Sequence, residues 1–244
     1  MRYRHLFFDL DGTLWDLKRN TREALLQLFE KYSTPFKGVD FNHFFARYHF
    51  HNDHVWALYR DAKIEKEVLR TIRFERTFQE CGMSATPAFV NEFADAFLHV
   101  CPRLPHLLPG TIDLLEAIKD KYQLHIITNG FQEVQGFKME AGKLTPYFNH
   151  LVYSEGAGMR KPHPEIFQYA FELTGANAEE SLMIGDDWEA DILGARNAGM
   201  DQAFLTTTED MLHELSSSTR DRPSRHNHKP TFTLHRIDDL LKVL

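Results

Sequence analysis

Apolar residues change their spacing twice along this chain. At the start, His5-Leu-Phe-Phe8 is an unbroken apolar run that ends in charge at Asp9, the pattern of a strand buried on both faces. From about Thr21 the spacing becomes helical. Thr-Arg-Glu-Ala-Leu-Leu-Gln-Leu-Phe-Glu-Lys-Tyr puts Ala24, Leu25, Leu28 and Phe29 on one stripe, with Thr21 as the expected cap and Ser33-Thr34-Pro35 as the stop. Residues 41–63, 64–81 and 87–101 also read as helices, with no alternating stretch between them. Three prolines then cluster in residues 102–110.

Beyond the prolines, strand and helix patterns alternate. Residues 111–122 predict a helix, 124–128 a strand, 133–143 a helix and 150–154 a strand. A helix over 164–175 follows, then a strand over 181–185, a helix over 190–199 and a strand over 202–206. Residues 216–230 are polar and read as a loop, 231–235 as an edge strand and 237–244 as a closing helix. Such alternation implies an α/β fold with a parallel sheet covered on both faces. The predicted organisation is a core of residues 1–16 and 107–244, interrupted by a helical insert over 17–106. The insert leaves directly after the first strand, so it is expected over that strand's carboxyl end, where open α/β sheets place their ligands.

Composition narrows the function classes. The chain has 244 residues, 28 Lys and Arg against 35 Asp and Glu, and a net charge of −7. That balance disfavours a nucleic-acid coat but leaves room for a small phosphorylated metabolite held by local cations. Cys81 and Cys101 lack metal or redox spacing and read as reduced thiols. The first residues lack the apolar region of a signal peptide, and no stretch is long and apolar enough for a membrane span. A cytoplasmic enzyme, monomeric or a small homo-oligomer, is expected.

Four short stretches lie just beyond predicted strands: Asp-Leu-Asp-Gly-Thr (9–13), Thr-Asn-Gly (128–130), Arg-Lys-Pro (160–162) and Gly-Asp-Asp-Trp-Glu-Ala-Asp (185–191). In that order and spacing the chain resembles the haloacid dehalogenase superfamily of phosphatases over essentially its whole length. The resemblance implies a Rossmann-like doubly wound parallel sheet with an inserted all-helical cap domain. Residues 126–167, with Trp56 and Arg73-Phe74 of the insert, look most like the branch of pyrimidine 5′-nucleotidases.

The chemistry of the residues points the same way. A carboxylate can attack phosphorus and split one hard hydrolysis into two easier steps, and Asp9, fixed by the strand end, is the expected nucleophile. Asp11, two residues on in extended chain, is expected to face the same way. It can protonate the leaving oxygen and then deprotonate water, with repulsion from Asp9 helping to keep it protonated. Gly12 permits a sharp turn and Thr13 can tie it down. A calcium loop would need a preceding helix and a carboxylate where Asn20 stands.

Hard oxygen ligands select Mg²⁺. The expected ligands are the Asp9 carboxylate, the Asp11 carbonyl and Asp186, an arrangement the resemblance also implies. Asp191, one turn on, is expected to orient Lys161 or a metal-bound water, and part of its role can be helix capping; Asp187 is left open. Lys161 would neutralise phosphoryl oxygens as charge spreads in the transition state. Thr128 offers a hydroxyl to phosphate, and Asn129 and Gly130 backbone N–H donors. His51 and His54 share a helix face with His49 nearby, but a zinc site lacks an obvious acidic ligand. Arg220, Arg222, Arg225, His226, His228 and Lys229 read as a solvated basic loop.

Within the superfamily, Asp11 argues against dehalogenation, which has no leaving oxygen to protonate. Sugar-phosphate phosphatases and phosphoglucomutase-like enzymes stay open, and retention of Asp9, Asp11 and Lys161 argues against a non-catalytic phosphate-binding regulator. The expected function is a Mg²⁺-dependent phosphomonoester hydrolase acting through an aspartyl-phosphate, in the first instance on nucleoside 5′-monophosphates. A flat base would want aromatic partners, and Tyr48 and Trp56 are the candidates in the insert, with Phe44, Phe45 and Phe50 beside them.

Overall fold

The computed structural model describes residues 2–206 and 229–244, so of the basic segment only Lys229 lies inside the described residues. The chain divides into two compact units, Met1–Asp16 with His106–Leu244, and Leu17–Pro105. The first unit opens with β1 (His5–Phe8), buried along its whole length.

The second unit holds four helices: α1 (Leu17–Lys31), α2 (Phe41–Arg60), α3 (Lys66–Glu80) and α4 (Pro87–Val100). Helix α1 begins a turn earlier than its apolar stripe predicts. Asn20 and Thr21 extend the buried face Ala24, Leu25, Leu28 backwards, so Thr21 lies inside the helix and does not cap it. The spacing is the same, but its first members are small and polar. Asp40 caps α2 by accepting from the His43 N–H at 2.7 Å, and Thr86, ahead of Pro87, caps α4. The core of this unit is aromatic. Phe44, Phe74, Phe78 and Phe93 are fully buried and meet one another at ring-centroid distances of 5.2–6.5 Å.

The first unit then continues with α5 (Thr111–Ile118), β2 (Gln123–Thr128), α6 (Gln132–Ala141), β3 (His150–Tyr153), α7 (Ser154–Ala157), α8 (Pro164–Thr174) and β4 (Ser181–Gly185). One π-helical turn (Trp188–Leu193) runs into α9 (Gly194–Asn197), where a single helix was expected. Then come β5 (Asp201–Leu205), β6 (Phe232–Leu234) and, in place of a closing α-helix, a 3-10 segment over Ile237–Lys242.

All five strand pairings among the described residues are parallel, in the order β3-β2-β1-β4-β5-β6. The sheet is doubly wound: the chain runs outward from β1 through β2 to β3, then crosses back to β4 on the other side of β1. The crevice at that reversal is the ligand position of open α/β sheets, and both Asp9 and Asp186 follow the strands that form it. On one face Phe7, Ile127, Val152 and Met183 pack against Ile166, Phe167 and Ala170 of α8. No described helix is long and apolar enough to cross a membrane.

Candidate active site

The side chains that leave the carboxyl ends of β1, β2 and β4 are brought together by the sheet register, which aligns Phe8 with both Ile126 and Ile184. Asp9 follows β1 directly, and its N–H still donates to the Ile184 carbonyl at 2.9 Å. Its carboxylate is therefore held by backbone pairing on the central strand, and it is buried.

Lys161 comes in from the loop before α8. Its ammonium donates to Asp9 Oδ1 at 2.6 Å, to Asp191 Oδ1 at 2.6 Å and to the Ile127 carbonyl at 2.7 Å, so all three protons are used. It is 1% exposed, the most deeply buried charged group beside Asp191. Burial alone would lower its pKa, but Asp191 and Asp9 outweigh that and raise it. Asn129 fixes the same loop from β2: its amide nitrogen donates to the Lys161 carbonyl at 2.9 Å and its oxygen accepts from the Lys161 N–H at 2.8 Å.

Asp186 follows β4. Its Oδ1 accepts from the Thr13 hydroxyl at 2.9 Å, so Thr13 ties the turn after β1 to an acid from another strand. Gly12 sits at φ +85°, and a Cβ there would stand 2.3 Å from Asp186 Oδ2. Both backbone shape and space demand glycine. Asp187, left open by the sequence, is the cap of the following turn, accepting from the Glu189 and Ala190 N–H groups at 2.9 Å. Asp191 does not cap that turn from its own start; it faces Lys161 and accepts from the Asp187 N–H at 3.1 Å.

Carboxylate oxygens of Asp9, Asp186 and Asp191 lie within 4.8 Å of one another. Burial raises the pKa of all three; for Asp9 it reaches about 7 although Lys161 pulls it down, and Asp186 is lifted well above the carboxylate range by burial and by Asp9, Asp191 and Asp187. The cluster sets three carboxyl groups against the one Lys161 ammonium. Asp191 spends one oxygen on Lys161 and the other on the Asp187 N–H. A cation would therefore fall to Asp9 and Asp186, and an all-oxygen donor set of this kind suits Mg²⁺.

Asp11 does not share its surroundings with Asp9. Its Oδ1 accepts from Lys138 Nζ at 2.6 Å and its Oδ2 from Gln135 Nε2 at 2.8 Å, both on α6. Asp11 still adds to the charge that raises the Asp9 pKa, and each of the two acids has its own lysine. Thr128 Oγ1 accepts from the Gly130 N–H at 3.0 Å and from Gln135 Nε2 at 2.8 Å, which leaves the hydroxyl proton to donate. The Gly130 N–H expected for phosphate is thus turned inward to Thr128. Gln135 and Lys138 were missed by the sequence reading. The available hint was two polar residues, three apart, on the same side of α6 as buried Met139.

In the helical unit, Tyr48 is 2% exposed and stacks on Phe74 at 5.2 Å, so its ring belongs to the aromatic core and is not open to a base. Phe44 is likewise core, Phe50 is exposed, and Trp56 is partly exposed, edge-on to Tyr59. His51 meets Glu80 of α3 at 2.5 Å, an acid the sequence did not single out. No group of three metal-competent side chains forms around it among the described residues. Cys81 and Cys101 are both free thiols.

A family model for haloacid dehalogenase-like hydrolases matches residues 3–199. The pyrimidine 5′-nucleotidase YjjG of Escherichia coli is 36% identical over 231 residues, covering 88% of this chain and 97% of that protein. The pyrimidine 5′-nucleotidase PynA of Streptococcus pneumoniae is 30% identical, covering 100% and 96%. The human N-acylneuraminate-9-phosphatase is 30% identical, covering 89% and 87%. Among solved structures, the magnesium-bound putative HAD-hydrolase YfnB of Bacillus subtilis superposes with a TM-score of 0.83 at 27% identity, covering 100% of this chain and 99% of that one.

Proposed function

The chain belongs to the haloacid dehalogenase-like hydrolase family, and on that premise we propose that it hydrolyses phosphomonoesters, nucleoside 5′-monophosphates first among them, through an aspartyl-phosphate on Asp9. The observation that carries this reading is the buried Asp9 at the end of the central strand, 2.6 Å from the fully engaged Lys161 and grouped with Asp186. Asp9 attacks phosphorus, forming an O–P bond as the ester P–O bond breaks. Asp11 gives its proton to the departing alkoxide, then takes one from the water that attacks phosphorus, and phosphate leaves as the Asp9 carboxylate is restored. The Thr128 hydroxyl meets a phosphoryl oxygen, Lys161 exchanges its Asp9 contact for another as that carboxylate turns to attack, and Asn129 holds the Lys161 loop in place. Asp9, Asp186 and the Asp11 carbonyl would hold Mg²⁺, which when bound supplies the further positive charge that phosphoryl transfer calls for.

Every side chain of this constellation addresses phosphate, metal or the leaving oxygen. Choice among substrates is therefore assigned to the helical unit, with Trp56 as the base contact. Nucleotidase relatives at 36% and 30% identity favour a nucleotide; the 30% match to a sialic acid phosphatase makes a sugar phosphate the second reading. Phosphate release from a panel of nucleoside monophosphates and sugar phosphates, with Mg²⁺, tests the choice. Nucleotides should have the highest kcat/KM, and Trp56→Ala should raise KM for them while sparing p-nitrophenyl phosphate. Faster sugar-phosphate hydrolysis would overturn the nucleotide assignment and leave the phosphatase reading standing.

A further inference from the structure

Helix α6 buries a glutamine and a lysine where its packing stripe would accommodate leucine or methionine. Gln135 is fully buried and Lys138 is 8% exposed. Such burial costs free energy unless the groups are well partnered, and the partners here are specific. Lys138 donates to Asp11 Oδ1 at 2.6 Å and rests 4.7 Å from the centroid of the buried Trp15 ring, which confines its stem. Gln135 Nε2 donates to Asp11 Oδ2 and to Thr128 Oγ1, each at 2.8 Å. One amide thus links the turn after β1 to the last residue of β2.

The orientation of that amide is forced. Turned over, Gln135 would set its Oε1 against a carboxylate oxygen. As it stands, Oε1 is buried with no partner among the described residues, a cost that a purely structural residue would not be expected to carry. The space is also made for it, since a Cβ on Gly130 would lie 1.8 Å from Gln135 Nε2.

We propose that Gln135 and Lys138 are positioning residues, which together clamp the Asp11 carboxyl for proton transfer at the leaving oxygen, while Gln135 also aims the Thr128 hydroxyl at phosphate. The inference rests on the reading of Asp11 as the acid and base of the phosphatase reaction. Both carboxylate oxygens are gripped from one side, so the carboxyl cannot rotate, and the remaining lone pair on each oxygen is the one that carries the proton. The clamp acts on the ester P–O bond that breaks and on the water O–H that breaks later. It takes no part in the bond from Asp9 to phosphorus. Lys138 should therefore matter in proportion to how much the leaving group needs a proton.

The test uses the full chain with Mg²⁺ and two substrates, a nucleoside monophosphate and p-nitrophenyl phosphate, whose leaving group needs little protonation. Lys138→Met should lower kcat on the nucleotide about tenfold more than on the aryl ester, with KM little changed. Lys138→Arg should recover most of that difference. Gln135→Leu should show the same discrimination and, in addition, weaken inhibition by inorganic phosphate through Thr128. In an Asp11→Asn background, Lys138→Met should cost little more, because the proton transfer it positions is gone. Should Lys138→Met fail to fold, Lys138→Gln and Gln135→Asn are read by the same ratio. If Asp11→Asn discriminates between the substrates and the clamp variants do not, the clamp is overturned while the acid assignment survives. If Asp11→Asn affects both substrates equally, the acid assignment and the clamp fall together.

Discussion

The two ends of the sheet bury polar side chains in opposite ways. At the carboxyl end, Asp9, Lys161 and Asp191 are buried together and linked by contacts of 2.6 Å, with two acids to one lysine. Towards the amino end, His5 and His125 are buried as neutral rings. His5 Nδ1 and His125 Nε2 are 3.1 Å apart, the rings stack with centroids at 5.4 Å, and His150 of β3 adds a third ring at 5.5 Å from His125. Burial lowers the pKa of His5, and burial with the adjoining histidines lowers that of His125 to about 3. Histidine avoids the desolvation of charge by staying neutral; the acids of the site cannot all do so beside Lys161. Under the proposed function the carboxyl end would receive a cation and a phosphate, while the amino end stays packed.

The largest effect should come from Lys161. Lys161→Met leaves Asp9 and Asp191 buried without a counter-charge, and loss of one partner of a buried pair costs about 3–5 kcal/mol. Phosphate release should vanish and the melting temperature should fall in metal-free buffer. Added Mg²⁺ should restore part of the melting temperature but not the activity. Equal melting temperatures for wild type and variant without metal would break the contrast drawn above, because the site would then not be charge-stressed.

Metal comes next. Chelation by EDTA should stop turnover and Mg²⁺ should restore it, while Asp186→Ala should raise the Mg²⁺ concentration needed for half-maximal rate by about tenfold or more. Mg²⁺ should also raise the wild-type melting temperature, since it binds only the folded cluster. Full activity in chelator, or rescue by zinc alone, would contradict the assignment.

The smallest effect belongs to the amino end and is one of pH. A histidine whose folded pKa lies below its unfolded value of about 6.5 stays neutral in the fold while the unfolded chain takes up a proton. Stability is then complete above that value and drains away as pH falls towards about 3, the folded value for His125. His125→Gln keeps a hydrogen-bonding side chain and cannot titrate, so the slope of unfolding free energy against pH over this window should flatten by about one proton. An unchanged slope would mean that His125 is charged in the fold.

Strand-end motifs made much of this site legible in the sequence. A buried strand ending in an acid needs no tertiary knowledge to be noticed: Asp9 and Asp186 directly follow buried strands and Thr128 ends one, whereas Lys161 comes from the loop between α7 and α8. What stayed hidden depended on partners far along the chain. Asp11 lies 124 and 127 residues from Gln135 and Lys138, and nothing local announces that pairing. Asp187 and Asp191 share one acidic turn, and only its π-helical winding decides that the first caps and the second reaches Lys161. Gly130 was placed by its neighbours in sequence, yet its N–H turns inward because Thr128 and Gln135 claim that space. Helical spacing likewise identified α1 but misplaced its start, since Asn20 and Thr21 are polar residues on a buried stripe. Tyr48 illustrates the same limit: an aromatic at helical spacing reads alike as core or as contact surface, and here it is core.

The central claim is covalent catalysis by Asp9, and it can be tested by rapid acid quench during turnover, followed by peptide mapping by mass spectrometry. A nucleoside monophosphate and Mg²⁺ should place a phosphoryl group on the peptide that contains Asp9. The adduct should accumulate further in Asp11→Asn when p-nitrophenyl phosphate is the substrate, because formation then needs little acid and breakdown lacks its base. Asp9→Asn should show neither adduct nor more than about a hundredth of the wild-type rate. Sustained turnover by Asp9→Asn, or a phosphoryl group on another residue, would contradict the account.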